Sequence, residues 1–168
     1  MNPPAVIKLE HGGGLQRPRR IVIHAMAEYI SADAKTARAY GRQPGSYHAL
    51  QWLDVIKLSA HALVAPNGAI IRCRDDGQVA WHARGYNADS LGVEFLVPGI
   101  HNYTTFLKAM QGDYLPNAAY DAGVELVQSW VDHHDITEIV THAEIDPNRK
   151  KDPGAGFPLN QFMGDIKQ

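Results

Sequence analysis

The sequence predicts an α/β domain built on a mixed central β-sheet flanked by helices. Three observations predict it. Short apolar runs rich in β-branched residues, Ile21-Val22-Ile23, Leu91 to Val97 and Ile139-Val140, read as buried strands. Beyond Asn117, the residues Ala119, Ala122, Leu126, Val127, Trp130 and Val131 recur at three- and four-residue spacing, the pattern of a helix with one buried face. Strands and helices follow one another without regular βα alternation, which favours a mixed sheet over a purely parallel one.

Taken in order, residues 1–18 hold Pro3-Pro4, Gly12-Gly13-Gly14 and Pro18, and read as an N-terminal extension lying on the domain without regular structure. The domain proper is placed at 19–168. Ile21 to His24 is a strand with His24 at its carboxyl end, where sites on open sheets gather. Ser31 to Arg42 suits a short helix, capped by Ser31 or Asp33, and Pro44-Gly45 reads as a stop to regular structure. Ser46 to Lys57 reads as a loop with one turn of helix at most. Leu58 to Ala65 and Ala69 to Arg74 flank Pro66-Asn67-Gly68, a hairpin signal. Val79 to His82 is a short segment before the turn Arg84-Gly85-Tyr86-Asn87, and Leu91 to Val97 is the next strand. Asn117 caps the amphipathic helix, which ends near His133 and His134. Glu138 to His142 forms a last strand and Phe157 to Ile166 a closing helix.

A chain of 168 residues suits one domain with a substantial core. With 45% hydrophobic and 20% charged residues it has the make-up of a soluble globular protein. A net charge of -2 gives no basic bias of the kind nucleic-acid binding favours. The single cysteine, Cys73, allows no disulfide within the chain, which fits synthesis in a reducing compartment. The first residues lack the pattern of a signal peptide, and no run approaches the roughly 18 apolar residues of a membrane span. The expectation is cytoplasmic synthesis, with no membrane insertion and no nucleic-acid partner.

The chemistry-bearing residues concentrate in Thr141 to Phe157, THAEIDPNRKKDPGAGF. His142 closes one apolar run, His24 closes another, and Asp152 stands in a Pro/Gly-shaped loop after His142. Two histidines and one carboxylate leave Zn²⁺ with one open position, as a hydrolytic site requires. The competing reading of each histidine is a satisfied structural side chain, and for His61 and His82 that reading leads. His11, His48, His101, His133 and His134 fall in loops, extensions or a helix end and read as surface. Glu94, inside an apolar run, is costly to bury without a partner or a polar cavity. It reads either as an edge residue facing water or as a general base. Lys150 belongs to the triplet Arg149-Lys150-Lys151, ordinarily a solvated face, but stands two residues before Asp152.

In these residues the chain resembles the zinc-dependent N-acetylmuramoyl-L-alanine amidases, a family that takes in amidase-type phage lysozymes, muropeptide-recycling amidases and the peptidoglycan recognition proteins. The resemblance covers about residues 19 to 166 and runs through five blocks in order: Ile21 to His24, Ser59-Ala60-His61 leading into Pro66-Asn67-Gly68, Ala80 to Ala83, Ser90 to Glu94, and His142 to Gly154. It implies the family's mixed-sheet fold, with zinc ligands at His24, His142 and Asp152. It also implies a catalytic glutamate at Glu94 and a transition-state lysine at Lys150. Where some phage members carry a catalytic tyrosine, this chain has Ala60, and Tyr47 and Tyr86 are candidates for the vacant role.

The implied reaction is hydrolysis of the amide between N-acetylmuramic acid and L-alanine, with peptidoglycan or a muropeptide as partner. Members that bind without cutting commonly lack one ligand, whereas all three are present here, which favours an enzyme over a recognition module. The short chain and the Gly85-Tyr86-Asn87 turn point to a phage or prophage endolysin, released to the cell wall through a holin-type pore. The alternative is a cytoplasmic recycling amidase for anhydro-muropeptides.

Overall fold

A computed structural model describes residues 8–31 and 45–167, with the backbone alone for 45–47. The helix expected over 31–42 therefore lies outside the described residues beyond Ser31. The described residues hold seven strands: β1 (Gly12–Leu15), β2 (Arg20–Ile30), β3 (Ala62–Val64), β4 (Ile70–Arg72), β5 (Gln78–Ala80), β6 (Ser90–His101) and β7 (Glu138–Thr141). Among the described residues five helices join them: α1 (Gly45–Val55), α2 (Tyr103–Ala109), α3 (Asn117–His133), α4 (His142–Ile145) and α5 (Leu159–Asp165).

The main sheet has five strands in the order β4-β3-β6-β2-β7. Strands β3, β6, β2 and β7 run parallel, and β4 is antiparallel at the edge. A mixed sheet with helices on it is what the missing βα alternation predicts. The β3–β4 hairpin turns at Pro66-Asn67-Gly68, where Asn67 Oδ1 accepts from the Ala69 amide and Gly68 takes a positive φ of 84°.

Alternation along the central strands sends two sets of side chains to opposite faces. Ile21, Ile23 and Ala25 of β2 join Leu91, Val93 and Phe95 of β6 in one core. Helices α3 and α5 close it with Leu126, Val127, Trp130 and Phe162. On the other face Leu63 and Leu96 pack with Ala49, Leu50 and Leu53 of α1. The same alternation puts His24 and Glu94 on this second face.

Four sequence expectations change. Residues 45–55 form a full helix because Ala49, Leu50 and Leu53 bury one stripe against the sheet, so Gly45 opens a helix rather than ending structure. The glycine-rich stretch near the N-terminus holds strand β1, paired antiparallel with β5 in a separate two-stranded sheet. Arg74 clamps it, donating to the carbonyls of Leu9, Gly13 and Val79. Asn117 is the first helical residue of α3 and Pro116 the cap, with no capping side chain. His24 lies near the middle of an 11-residue strand instead of at its end.

Candidate metal centre

His24 opens onto a cavity because its neighbour stops, although its own strand continues. β7 pairs with β2 as far as Thr141 opposite Ile23. The next residue, His142, leaves the sheet as the first residue of α4. Thr141 makes that turn sharp through a capping box: its hydroxyl accepts from the Glu144 amide, and Glu144 Oε2 accepts from the Thr141 amide at 2.7 Å. On the other flank of β2, Glu94 of β6 stands directly opposite His24. Glu94 and His24 therefore stand side by side on the sheet, with His142 just past the end of β7 beside them.

Asp152 reaches these residues from the loop after α4. Its backbone carbonyl accepts from the Ala143 amide at 2.9 Å, and its Oδ2 accepts from the Ala25 amide at 3.4 Å. Tyr114, buried, donates its hydroxyl to the Pro153 carbonyl at 2.8 Å, tying the loop to the segment before α3. Sequence reasoning missed Tyr114, and no local motif marks it.

The three candidate ligand atoms converge. His24 Nδ1 and His142 Nδ1 lie 2.9 Å apart, His142 Nδ1 and Asp152 Oδ2 3.2 Å, and His24 Nδ1 and Asp152 Oδ2 3.3 Å. A tetrahedral ion with arms of about 2.0–2.1 Å has edges of about 3.3 Å, so this triangle matches one face of a zinc site. Two imidazole nitrogens and one carboxylate are also a donor set suited to Zn²⁺. The cluster could hold a metal ion, and all three residues are buried.

Electrostatics separate the two carboxylates. Burial would raise the Asp152 carboxyl, but hydrogen bonds to His142 and His24 hold it well below the usual carboxylate range. Burial, and then the Asp152 charge, push Glu94 well above its ordinary value, with Lys150 opposing. Glu94 Oε2 is buried without a hydrogen-bond partner among the described residues, and Oε1 lies 4.0 Å from His24 Nδ1. The water-facing reading of Glu94 fails on position, because β6 is an interior strand and Glu94 is 9% exposed. All three cations of 149–151 line the cavity, but Arg149 is engaged by Asp146 and Lys151 by the Pro147 carbonyl. The Lys150 charge acts on both His24 and Glu94.

The cavity that these residues line has a volume of about 480 Å³. Trp52, Ile56, Leu58, Trp81, Tyr103 and Phe106 contribute apolar surface to its lining. Of the tyrosines considered for the vacant role, Tyr86 stacks under Arg20 at 4.9 Å, and the side chain of Tyr47 lies outside the described residues.

His61 is fully used by the fold. Its Nδ1 accepts from the Gly92 amide at 3.0 Å and its Nε2 meets the Gln78 carbonyl at 2.8 Å, which joins β5 to β6. Burial lowers its pKa to about 4. His61→Ala strands a buried amide and a carbonyl, at a cost of about 1–3 kcal/mol each. Thermal denaturation should show a lower Tm while metal content stays at the wild-type level; a folded variant purified without metal would contradict this.

A cluster that could hold a metal ion, opening onto a cavity beside a buried carboxylate, has the kinds of group that metal-assisted hydrolysis uses. The chain belongs to the N-acetylmuramoyl-L-alanine amidase family, whose model matches residues 14–155, and it is an enzyme of that activity. Among solved structures it is similar to AmpD, with a TM-score of 0.70 and 19% identity over 99% of this chain and 96% of that one. It is similar to the endolysin N-acetylmuramoyl-L-alanine amidase LysCS from Clostridium intestinale URNW, with a TM-score of 0.65 and 18% identity over 99% and 96%. The amidase AmiD from E. coli, in complex with anhydro-N-acetylmuramic acid-L-Ala-D-γ-Glu-L-Lys, matches with a TM-score of 0.60 and 21% identity over 90% of this chain and 58% of that one. No curated protein sequence matched the chain. Among the described residues, no helix is long and apolar enough to cross a membrane.

Proposed function

We propose that this chain is a zinc amidase that cuts the bond between the lactyl group of N-acetylmuramic acid and L-alanine, with His24, His142 and Asp152 as the zinc ligands. The observation that carries the reading is the ligand triangle of 2.9–3.3 Å set beside a buried glutamate at the floor of the cavity. Bound there, Zn²⁺ supplies a Lewis acid that polarises the scissile carbonyl and makes water nucleophilic near neutral pH.

The protein's own groups do the rest. Glu94, directly opposite His24 on the neighbouring strand, takes a proton from the attacking water and returns one to the leaving amine. Lys150 faces the charge that develops on the carbonyl oxygen. Lys150→Met should retain metal and lower kcat by about 10²-fold or more, with a smaller effect on KM, since such a contact strengthens in the transition state. Steady-state kinetics check this; a rise in KM with unchanged kcat would make Lys150 a plain binding residue. Catalysis is assigned to the domain over residues 19–168.

The finer reading is an endolysin acting on intact cell wall, supported by the Gly85-Tyr86-Asn87 turn and the likeness to LysCS. The anhydro-muropeptide held by the similar AmiD favours a second reading, a recycling amidase for soluble fragments. Digestion of purified sacculi and of soluble anhydro-muropeptide, with mass spectrometry of the products, tests both. Free stem peptides beginning at L-alanine are expected. Release from sacculi at the higher rate supports the endolysin, release confined to the soluble substrate supports recycling, and intact lactyl–alanine bonds in both refute the proposal.

A further inference from the structure

His82 holds none of the roles above, yet it is in direct contact with a candidate ligand. His24 uses Nδ1 towards His142 and Asp152; its other ring nitrogen, Nε2, lies 2.8 Å from His82 Nδ1. His82 Nε2 in turn lies 3.0 Å from Ser90 Oγ. Ser90 sits at the start of β6 with its hydroxyl 2.6 Å from the Tyr86 carbonyl.

Proton positions along this line are set from its far end. A carbonyl oxygen can only accept, so the single hydroxyl proton of Ser90 goes to Tyr86. Ser90 Oγ is left to accept, and its donor is His82 Nε2–H. A neutral imidazole protonated at Nε2 has its lone pair on Nδ1. That lone pair accepts from His24 Nε2–H, which leaves the His24 lone pair on Nδ1, the atom that faces the other two ligands.

The surroundings fit the His82 ring closely. A Cβ added at Gly92 would come within 2.5 Å of His82 Nδ1, so the absence of a side chain there opens the space the ring fills. Asn87 Oδ1 accepts from the amides of both His82 and Ala83, at 3.0 and 2.7 Å, and fixes the backbone that presents the ring.

We propose that His82 and Ser90 are positioning residues of the metal centre: the line Ser90–His82–His24 holds His24 in the tautomer and orientation that offer Nδ1 to the ion. The inference rests on the zinc reading of His24. Its consequence is for metal affinity, because an outer partner both orients a ligating imidazole and raises its basicity.

The test is Zn²⁺ affinity of the intact chain, measured at one pH by competition with a chromogenic chelator, alongside the Tm of the zinc-free protein. His82→Leu should weaken zinc binding about 10- to 100-fold, the range for loss of an outer partner. His82→Asn, whose Oδ1 can stand where Nδ1 stood, should recover most of that loss. Ser90→Ala should weaken binding in the same direction by a smaller factor. A role in packing would lower the Tm in the Leu and Asn variants alike and would give no rescue of affinity. Wild-type affinity in folded His82→Leu, or equal losses in the Leu and Asn variants, overturns the proposal. Should His82→Leu fail to fold, Ser90→Ala decides, and unchanged zinc affinity there overturns it too. Absence of zinc binding by the wild-type chain would instead refute the ligand reading itself.

Discussion

Asp152→Ala and His142→Ala are each expected to lose zinc and with it amide hydrolysis. Each removes one corner of a triangle whose edges are 2.9–3.3 Å, and two remaining donors do not make a closed protein site for Zn²⁺. The fall in affinity should exceed the 10- to 100-fold produced by outer partners. The two variants should differ in stability. Asp152 is buried beside two imidazoles that hold its proton affinity down, so its carboxylate contributes stability above the unfolded carboxyl pKa that is lost as pH falls through the lowered folded value. Asp152→Ala gives up that contribution at neutral pH and also frees the Ala25 amide that its Oδ2 accepts from. Metal analysis after dialysis, paired with circular dichroism, checks both parts; full zinc content in either folded variant would remove that residue from the ligand set.

Glu94→Gln should lose roughly 10²- to 10⁴-fold in turnover, the usual span for acid–base catalysis, while keeping zinc and fold. Its stability should move the other way from that of Asp152→Ala. Burial and the Asp152 charge raise the Glu94 pKa in the folded, zinc-free chain above the ordinary 4.5. The group therefore stabilises the zinc-free fold fully below about 4.5, and the contribution is lost as the pH rises through the raised folded value. Above about pH 4.5 the carboxyl must either hold a proton that the unfolded chain gives up or ionise in a buried site, a cost the neutral amide avoids. Zinc-free Glu94→Gln should thus melt no lower than wild type at pH 5 and higher at pH 8. A lower Tm at pH 8 would mark Glu94 as a member of a structural ion pair, and near-wild-type turnover would move the base role elsewhere.

Much of the fold can be read from the chain because its signals are local. The apolar runs of β2, β6 and β7, the Pro66-Asn67-Gly68 hairpin and the periodic helix α3 each carry their own pattern within a few residues. Helix α1 does not, since Tyr47, Leu50 and Trp52 suit more than one structure until Leu63 and Leu96 supply a face for Leu53 to cover. Strand β1 depends on a partner about 65 positions away and on Arg74, and neither shows in the glycines themselves.

The candidate site is legible as residue types but less so as geometry. In the sequence His24 stands out as the end of an apolar run; it lines the cavity where β7 ends beside it at Thr141, a property of a neighbour remote in sequence. Glu94 stands out as a carboxylate in an apolar run, and the parallel register opposite His24 places it. The contacts of Tyr114 with Pro153, and of His82 with Ser90 and His24, join segments whose spacing carries no motif.

On the proposed reading, zinc held by His24, His142 and Asp152 is what makes the chain an amidase. Stripping the wild-type protein with a chelator and titrating Zn²⁺ back, while following release of L-alanine-terminated stem peptide, tests it most directly. Activity should be absent from the stripped protein, rise linearly with added zinc and saturate at one ion per chain, with His142→Ala inert throughout. Full hydrolysis by the zinc-free protein, or restoration of His142→Ala at the same stoichiometry, would contradict the account.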